Sequence, residues 1–150
     1  MKEYLEEHPD CENEDIHFLH CDCWFLKEES AETEWERDLC CRKLVETSLQ
    51  GLEKCPDSLL IKKNLGIGYI KSGQLEQGEK IFSELIDAMP DSALFHYDMA
   101  CTLAIKGDVT KVLKHLGKAI EIEENMQMLA RVDPDFDTIW RNPDFQNLIF

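Results

Sequence analysis

Apolar side chains recur at helical spacing through the middle of the chain. Large apolar residues return every three to four positions, which places them on one face of a helix rather than on a half-buried strand. One predicted helix carries Leu65, Tyr69 and either Leu59 or Ile61 on its apolar face, and the next carries Ile81, Phe82 and Leu85. The pattern therefore predicts two amphipathic helices joined by a short polar turn.

The ends of these predicted helices carry recognisable signals. Ser58 is a good N-cap for the first helix, and Gly73 can take the left-handed conformation that often follows a helix. Pro90 cannot continue the second helix. Ser92 and Gly107 repeat the cap and the turn in the following segment. These signals predict four successive helices between positions 58 and 125.

The segment repeats itself at a constant spacing. Pro90-Asp91-Ser92 stands 34 positions after Pro56-Asp57-Ser58, and Met99-Ala100-x-x-Leu103 stands in the place of Leu65-Gly66-x-x-Tyr69. A repeat of this length is one supersecondary unit that buries its apolar face only by stacking on a neighbour.

Three phrases in one unit resemble a known repeat. Leu65-Gly66-x-x-Tyr69, Gly78-x-x-x-Phe82 and Pro90 are similar to the tetratricopeptide (TPR) pattern W-x2-L-G-x2-Y…A-x3-F…P. The resemblance implies an all-α fold, a short right-handed solenoid of about three helical hairpins. It also implies close helix contacts at the small residues Gly66 and Gly78.

We expect a single domain over residues 1–150, built from these units and two flanks. Residues 59–92 and 93–125 form the two clear units, and 1–55 form an irregular, acidic first unit in which 27–38 are a helix extension or an insertion. Residues 126–150 are expected to cap the stack, with a short helix over 126–132 and an N-cap and first helical residue at Asn142-Pro143.

Charge is concentrated at one end of the chain. The net charge is −15, and residues 1–36 hold 13 acidic and two basic side chains, a local net of −11. Binding to nucleic acid or to an anionic membrane surface is therefore not expected. The acidic end is either a solvated face or a docking surface for a basic partner.

The seven cysteines are expected to be reduced. Their number is odd, the N-terminus shows no export signal, and no apolar run is long enough to span a membrane. We therefore expect a cytoplasmic protein that needs no cofactor.

One cluster offers an alternative in a different class. His17, His20 and Cys21 fall on one helical face, and Cys23 follows two positions later. Imidazole and thiolate ligands on one face can hold zinc, so a metal- or redox-sensing helical repeat protein is the competing hypothesis. Cysteines among large apolar neighbours also suit a packed helix face.

The resemblance to TPR proteins implies a function in binding. In that family the first helix of each unit faces a concave groove, so the implied surface contains Lys63, Asn64, Ile67, Lys71, Tyr97, Asp98 and Cys101. The chain lacks the GxSxG, P-loop and glycine-rich dinucleotide motifs of common enzyme classes. The sequence thus predicts a non-catalytic scaffold or adaptor for a protein or peptide, with the partner and the oligomeric state left open.

Overall fold

A computed structural model of the chain describes residues 30–150 together with Cys21, Trp24 and Lys27. Every element in this part of the chain is helical, which confirms the predicted all-α class at that level. The helices are α1 (Glu34–Lys54), α2 (Leu59–Lys71), α3 (Leu75–Ala88), α4 (Ala93–Lys106), α5 (Val109–Ile122), α6 (Asn125–Ala130), a 3-10 helix (Pro134–Ile139) and α7 (Pro143–Ile149).

The helix boundaries repeat with the period of the sequence. Helix α4 begins at Ala93, 34 positions after the start of α2 at Leu59, and α5 begins at Val109, 34 positions after the start of α3 at Leu75. The predicted succession of four helices over this segment is confirmed.

The caps repeat in the same way. The side chain of Ser58 accepts a hydrogen bond from the amide of Ile61, and that of Ser92 accepts one from the amide of Phe95. Gly73 and Gly107 follow α2 and α4 with φ angles of 78° and 79°, a left-handed conformation that other residues adopt only at a cost. The local signals therefore stop both helices where they were predicted to stop.

Contacts divide the chain into two compact units, Met1–Gln74 and Leu75–Phe150. In the first, α1 packs against α2. Helix α1 opens with a capping box, because Thr33 accepts from the amide of Glu36 while the Glu36 carboxylate accepts from the amide of Thr33. Residues 34–38, at the end of the segment predicted to be an extension or an insertion, are thus the first turn of α1.

The second unit is organised around α4. This helix contacts α3, α5 and the 3-10 helix, and its stretch from Met99 to Ala104 is buried throughout. The core around it consists mainly of fully buried Phe82, Leu85, Leu103, Val112, Leu116, Phe136, Phe145 and Ile149. Gly78 in α3 is buried, as is Gly66 in α2 of the first unit, which agrees with the prediction that small residues occupy contact positions.

The C-terminal segment packs onto this unit. Phe136 and Phe145 are completely buried and lie 5.3 Å apart between ring centroids. Asn142 caps α7 and Pro143 occupies its first turn, as predicted. Two side chains on and just after α6 bind carbonyl groups at the end of α7: Gln127 donates to the Leu148 carbonyl and Arg131 to the Ile149 carbonyl. Burial and hydrogen bonds therefore both fix the C-terminal segment on the second unit.

Within the part of the chain that the structure describes, no helix combines the length and the apolar character needed to cross a membrane.

Candidate functional site

The solvent-facing sides of α2 and α4 match in exposure at two equivalent positions of the repeat. Leu60 on α2 is 46% exposed, and Leu94, at the equivalent position of α4, is 41% exposed. Lys71 and Ile105 are likewise both exposed and occupy equivalent positions of the repeat. Helical spacing puts the two positions of each helix on one side of it. We call the two sides the α2 face and the α4 face and treat each by itself.

Part of the predicted binding surface contributes to these faces. On the α2 face, Lys63 and Ile67 are half-buried and Lys71 is exposed. On the α4 face, Asp98 is half-buried.

Three of the predicted binding residues are not available as exposed contacts. Asn64, Tyr97 and Cys101 are all buried, so the prediction that Asn64 and Tyr97 would be exposed is wrong. For Tyr97 the cause is visible in the second unit: its hydroxyl donates to the Asp133 carboxylate at 2.9 Å, and its ring meets Phe136 edge-on. Tyr97, which was predicted to line a groove, thus connects α4 with the C-terminal segment.

Asp133 is the centre of a small polar cluster on α4. Its Oδ2 accepts from the Tyr97 hydroxyl and from the Cys101 thiol, whose sulfur lies 3.8 Å away, and its Oδ1 accepts from the amide of Asp135. Burial, reinforced by the nearby carboxylates, raises the pKa of Tyr97 and of Cys101 far above the usual range of each group. Both groups are therefore protonated at neutral pH and serve as hydrogen-bond donors.

The same cluster brings three potential metal ligands together. Ligand atoms of Cys101, Asp133 and Asp135 lie within 4.8 Å of one another. Coordination of a transition metal there would require the Cys101 thiolate and would release its proton. Without an ion, the hydrogen bonds from Tyr97 and Cys101 to Asp133 fix the start of the 3-10 helix on α4.

Most of the alternative metal cluster lies outside the described residues, namely His17, His20 and Cys23. Cys21 is completely buried, and its sulfur lies 3.3 Å from the Ser48 hydroxyl on α1. The described cysteines are Cys21, Cys40, Cys41, Cys55 and Cys101, and all five are buried and in the thiol form. The part of the cluster that is described is a packed contact with α1.

Sequence reasoning did not single out Leu60 and Leu94 as surface residues. The signal for them was present, because the 34-residue period relates the two positions and both hold leucine. No comparable sequence signal indicated the role of Asp133, because Asp133 and its partner Tyr97 are 36 positions apart in the sequence.

No protein-family model matches this chain, and no curated protein matches it significantly.

Proposed function

We propose that this chain is a non-catalytic binding module built from TPR-like hairpins, in which the α2 face and the α4 face are each a docking surface for a protein or peptide. The observation that carries the proposal is the repetition of exposed side chains, with leucine at 60 and 94, at the same register in two helices. Exposed apolar residues are common one by one. Their recurrence at one register of two equivalent helices favours the same docking role for each face.

The charges on the two faces narrow the chemistry of the partner. Lys63 and Lys71 lie on the α2 face, while Asp98 lies on the α4 face. A segment that docks on the α2 face would carry acidic groups and apolar side chains, and a segment that docks on the α4 face would carry apolar side chains. Such a partner is a peptide or a protein surface rather than a nucleic acid.

Two features fit the non-catalytic and cytoplasmic parts of the proposal. On α4 the Tyr97 hydroxyl and the Cys101 thiol are held in their protonated forms and are buried. The five described cysteines are in the thiol form, which is the state that a reducing compartment maintains.

The proposal is tested by affinity capture from a native lysate with mass-spectrometric quantification. The face variant replaces Leu60, Leu94 and Ile105 by serine. We expect it to lose the proteins that the parent retains, because hydrophobic anchors carry most of the energy of an interface. Circular dichroism melting establishes beforehand that the variant is folded.

A second variant controls for the general loss of exposed apolar surface. It replaces Met89, Met128 and Leu129 by serine, three residues that are exposed to a similar or greater extent but lie off the two faces. We expect this variant to retain the parent's partners. Equal capture by the parent and the face variant, with both folded, would refute the proposed docking faces.

A further inference from the structure

Two histidines in the second unit hold each other in a defined orientation. The Nδ1 atoms of His96 on α4 and His115 on α5 are 3.1 Å apart, and Nε2 of His96 is 3.0 Å from the Pro90 carbonyl oxygen. His96 is buried, whereas His115 is half-buried. The pair thus links the turn before α4, α4 itself and α5.

The hydrogen-bond partners of His96 determine which ring nitrogens of the two histidines carry protons. The Pro90 carbonyl can only accept, so Nε2 of His96 must donate to it, and Nδ1 of a neutral His96 must then be an acceptor. Nδ1 of His115 therefore donates to His96. This leaves a lone pair on Nε2 of His115, for which no hydrogen bond is found among the described residues.

That nitrogen belongs to a ring that lines a cavity of about 520 Å³. This volume lies in the range of small-molecule sites, roughly 300–1,000 Å³. The walls combine apolar and polar groups, contributed by Ile86, His96, Leu113, Lys114, His115, Gly117, Lys118 and Glu121. Helices α3, α4 and α5 all contribute to it.

The charges around the cavity favour an anion over a cation. Two lysines, Lys114 and Lys118, line the cavity together with a single carboxylate residue, Glu121, whose carboxylate lies 3.5 Å from the Lys118 ammonium. This basic wall occurs on a chain whose net charge is −15. The charge of the cavity wall is therefore opposite in sign to the net charge of the chain.

His115 is held neutral by its surroundings. Burial lowers its pKa from the ordinary value of 6.5, and the charges of His96, Lys114 and Lys111 lower it further, while Glu79 on α3 acts in the opposite direction. An anion beside Nε2 of His115 would raise the pKa of this histidine, because the anion stabilises the imidazolium and accepts a hydrogen bond from the protonated Nε2. The bond from His115 to His96 survives that protonation, since it uses the other ring nitrogen.

We propose that this cavity is a binding site for a small organic oxyanion, a carboxylate or a phosphate ester on an apolar body. Lys114 and Lys118 supply charge, Ile86 and Leu113 contact the apolar body, and His115 takes up a proton from solvent as the ligand binds. The His96–His115 bond fixes the ring that receives this proton. The site is separate from the proposed docking faces, so either proposal can fail without the other.

The test is isothermal titration calorimetry with two probes, benzoate and phenyl phosphate, and with benzyl alcohol as an uncharged control of similar shape. We expect at least one oxyanion to bind and the alcohol not to bind. Benzoate stays ionised over the range in which histidine titrates, so it is the probe for pH dependence. Because the pKa of His115 is lowered in the free site, benzoate affinity should rise as the pH falls from neutral to below about 6.5, the ordinary histidine pKa. Proton uptake is measured by repeating the titration in buffers of different ionisation enthalpy.

Variants separate the site from general charge effects. The double variant Lys114→Gln/Lys118→Gln should lose roughly tenfold or more in affinity, the size expected for lost charge-assisted hydrogen bonds. The variant Lys54→Gln/Lys80→Gln removes two lysines that do not line the cavity and should bind like the parent. His115→Gln should remove the pH dependence of binding.

Three outcomes would overturn the proposal, provided that thermal melting shows folded variants. They are no binding of either oxyanion, equal binding of benzyl alcohol, and equal affinity of the Lys114→Gln/Lys118→Gln variant and the parent.

Discussion

Single side chains decide how closely the helices approach each other. The clearest case is Gly68 on α2, where a Cβ atom would lie 2.9 Å from Cγ2 of Val45 and 3.3 Å from Cγ of Leu44. Both neighbours are on α1, and valine is stiff at χ1, so neither can move aside freely. Gly117 on α5 differs, because a Cβ atom there would lie 3.9 Å from the Leu148 side chain, an ordinary contact distance.

These two glycines provide a matched pair of substitutions. Alanine in a helix interior gains about 1 kcal/mol over glycine, so Gly117→Ala should raise the free energy of unfolding by up to that amount. In Gly68→Ala the same gain is opposed by overpacking, which typically costs about 1–3 kcal/mol, so this variant should be less stable than the parent. Urea denaturation of both variants measures the difference. Equal stabilisation by the two substitutions would contradict the close approach of α1 and α2.

The hydroxyl of Tyr97 provides the second prediction at this scale. Tyr97→Phe leaves the ring against Phe136 but removes the donor to Asp133. We expect a loss of about 1–2 kcal/mol in the free energy of unfolding, because the Asp133 carboxylate loses its hydroxyl donor and keeps only the Cys101 thiol at Oδ2 and the Asp135 amide at Oδ1. Tyr69→Phe is the control, since the Tyr69 hydroxyl makes no hydrogen bond among the described residues, and it should change stability by less than about 0.5 kcal/mol. The same loss in both variants would show that the bond to Asp133 does not stabilise the fold.

At the scale of the helix, local sequence signals were sufficient for the regular part of the chain. Ser58, Ser92, Gly73 and Gly107 act on the residues next to them, and the helices between them begin and end where these signals indicated. The faces of the helices depend instead on what packs against them. The burial of Tyr97 arises from Phe136 and Asp133, which lie in a segment whose path no local signal specifies.

The short C-terminal helices give the prediction at this scale. Phe145 on α7 is completely buried, whereas Phe150 is 70% exposed. Phe145→Ala should therefore cost about 3–5 kcal/mol, the usual range for a core phenylalanine, and should abolish the cooperative transition of a marginally stable unit. Phe150→Ala should cost much less, because its contacts with Trp140 and Arg131 are at the surface. Thermal melts of similar midpoint for the two variants would refute the stabilising role of α7.

At the scale of the whole molecule, the 34-residue period identifies the equivalent positions on α2 and α4 on which the proposed function rests. The 34-residue spacing makes Leu60 and Leu94 equivalent positions, although sequence reasoning did not single them out, and both residues are exposed in the structure. The paired histidines could not be inferred in this way, because the partner of His96 lies 19 residues away and their contact depends on how α4 and α5 pack. A repeat thus predicts which positions are equivalent, while pairs formed between helices require the structure.

The most direct test of the docking faces is methyl NMR of the protein, labelled at leucine and isoleucine, during titration with a captured partner. We predict that the methyl resonances of Leu60, Leu94 and Ile105 shift together and saturate at one stoichiometry. The exposed leucines at 49 and 129 lie off the two faces and should not shift. Shifts at Leu49 and Leu129, with Leu60, Leu94 and Ile105 unchanged, would contradict the proposal that α2 and α4 bind the partner.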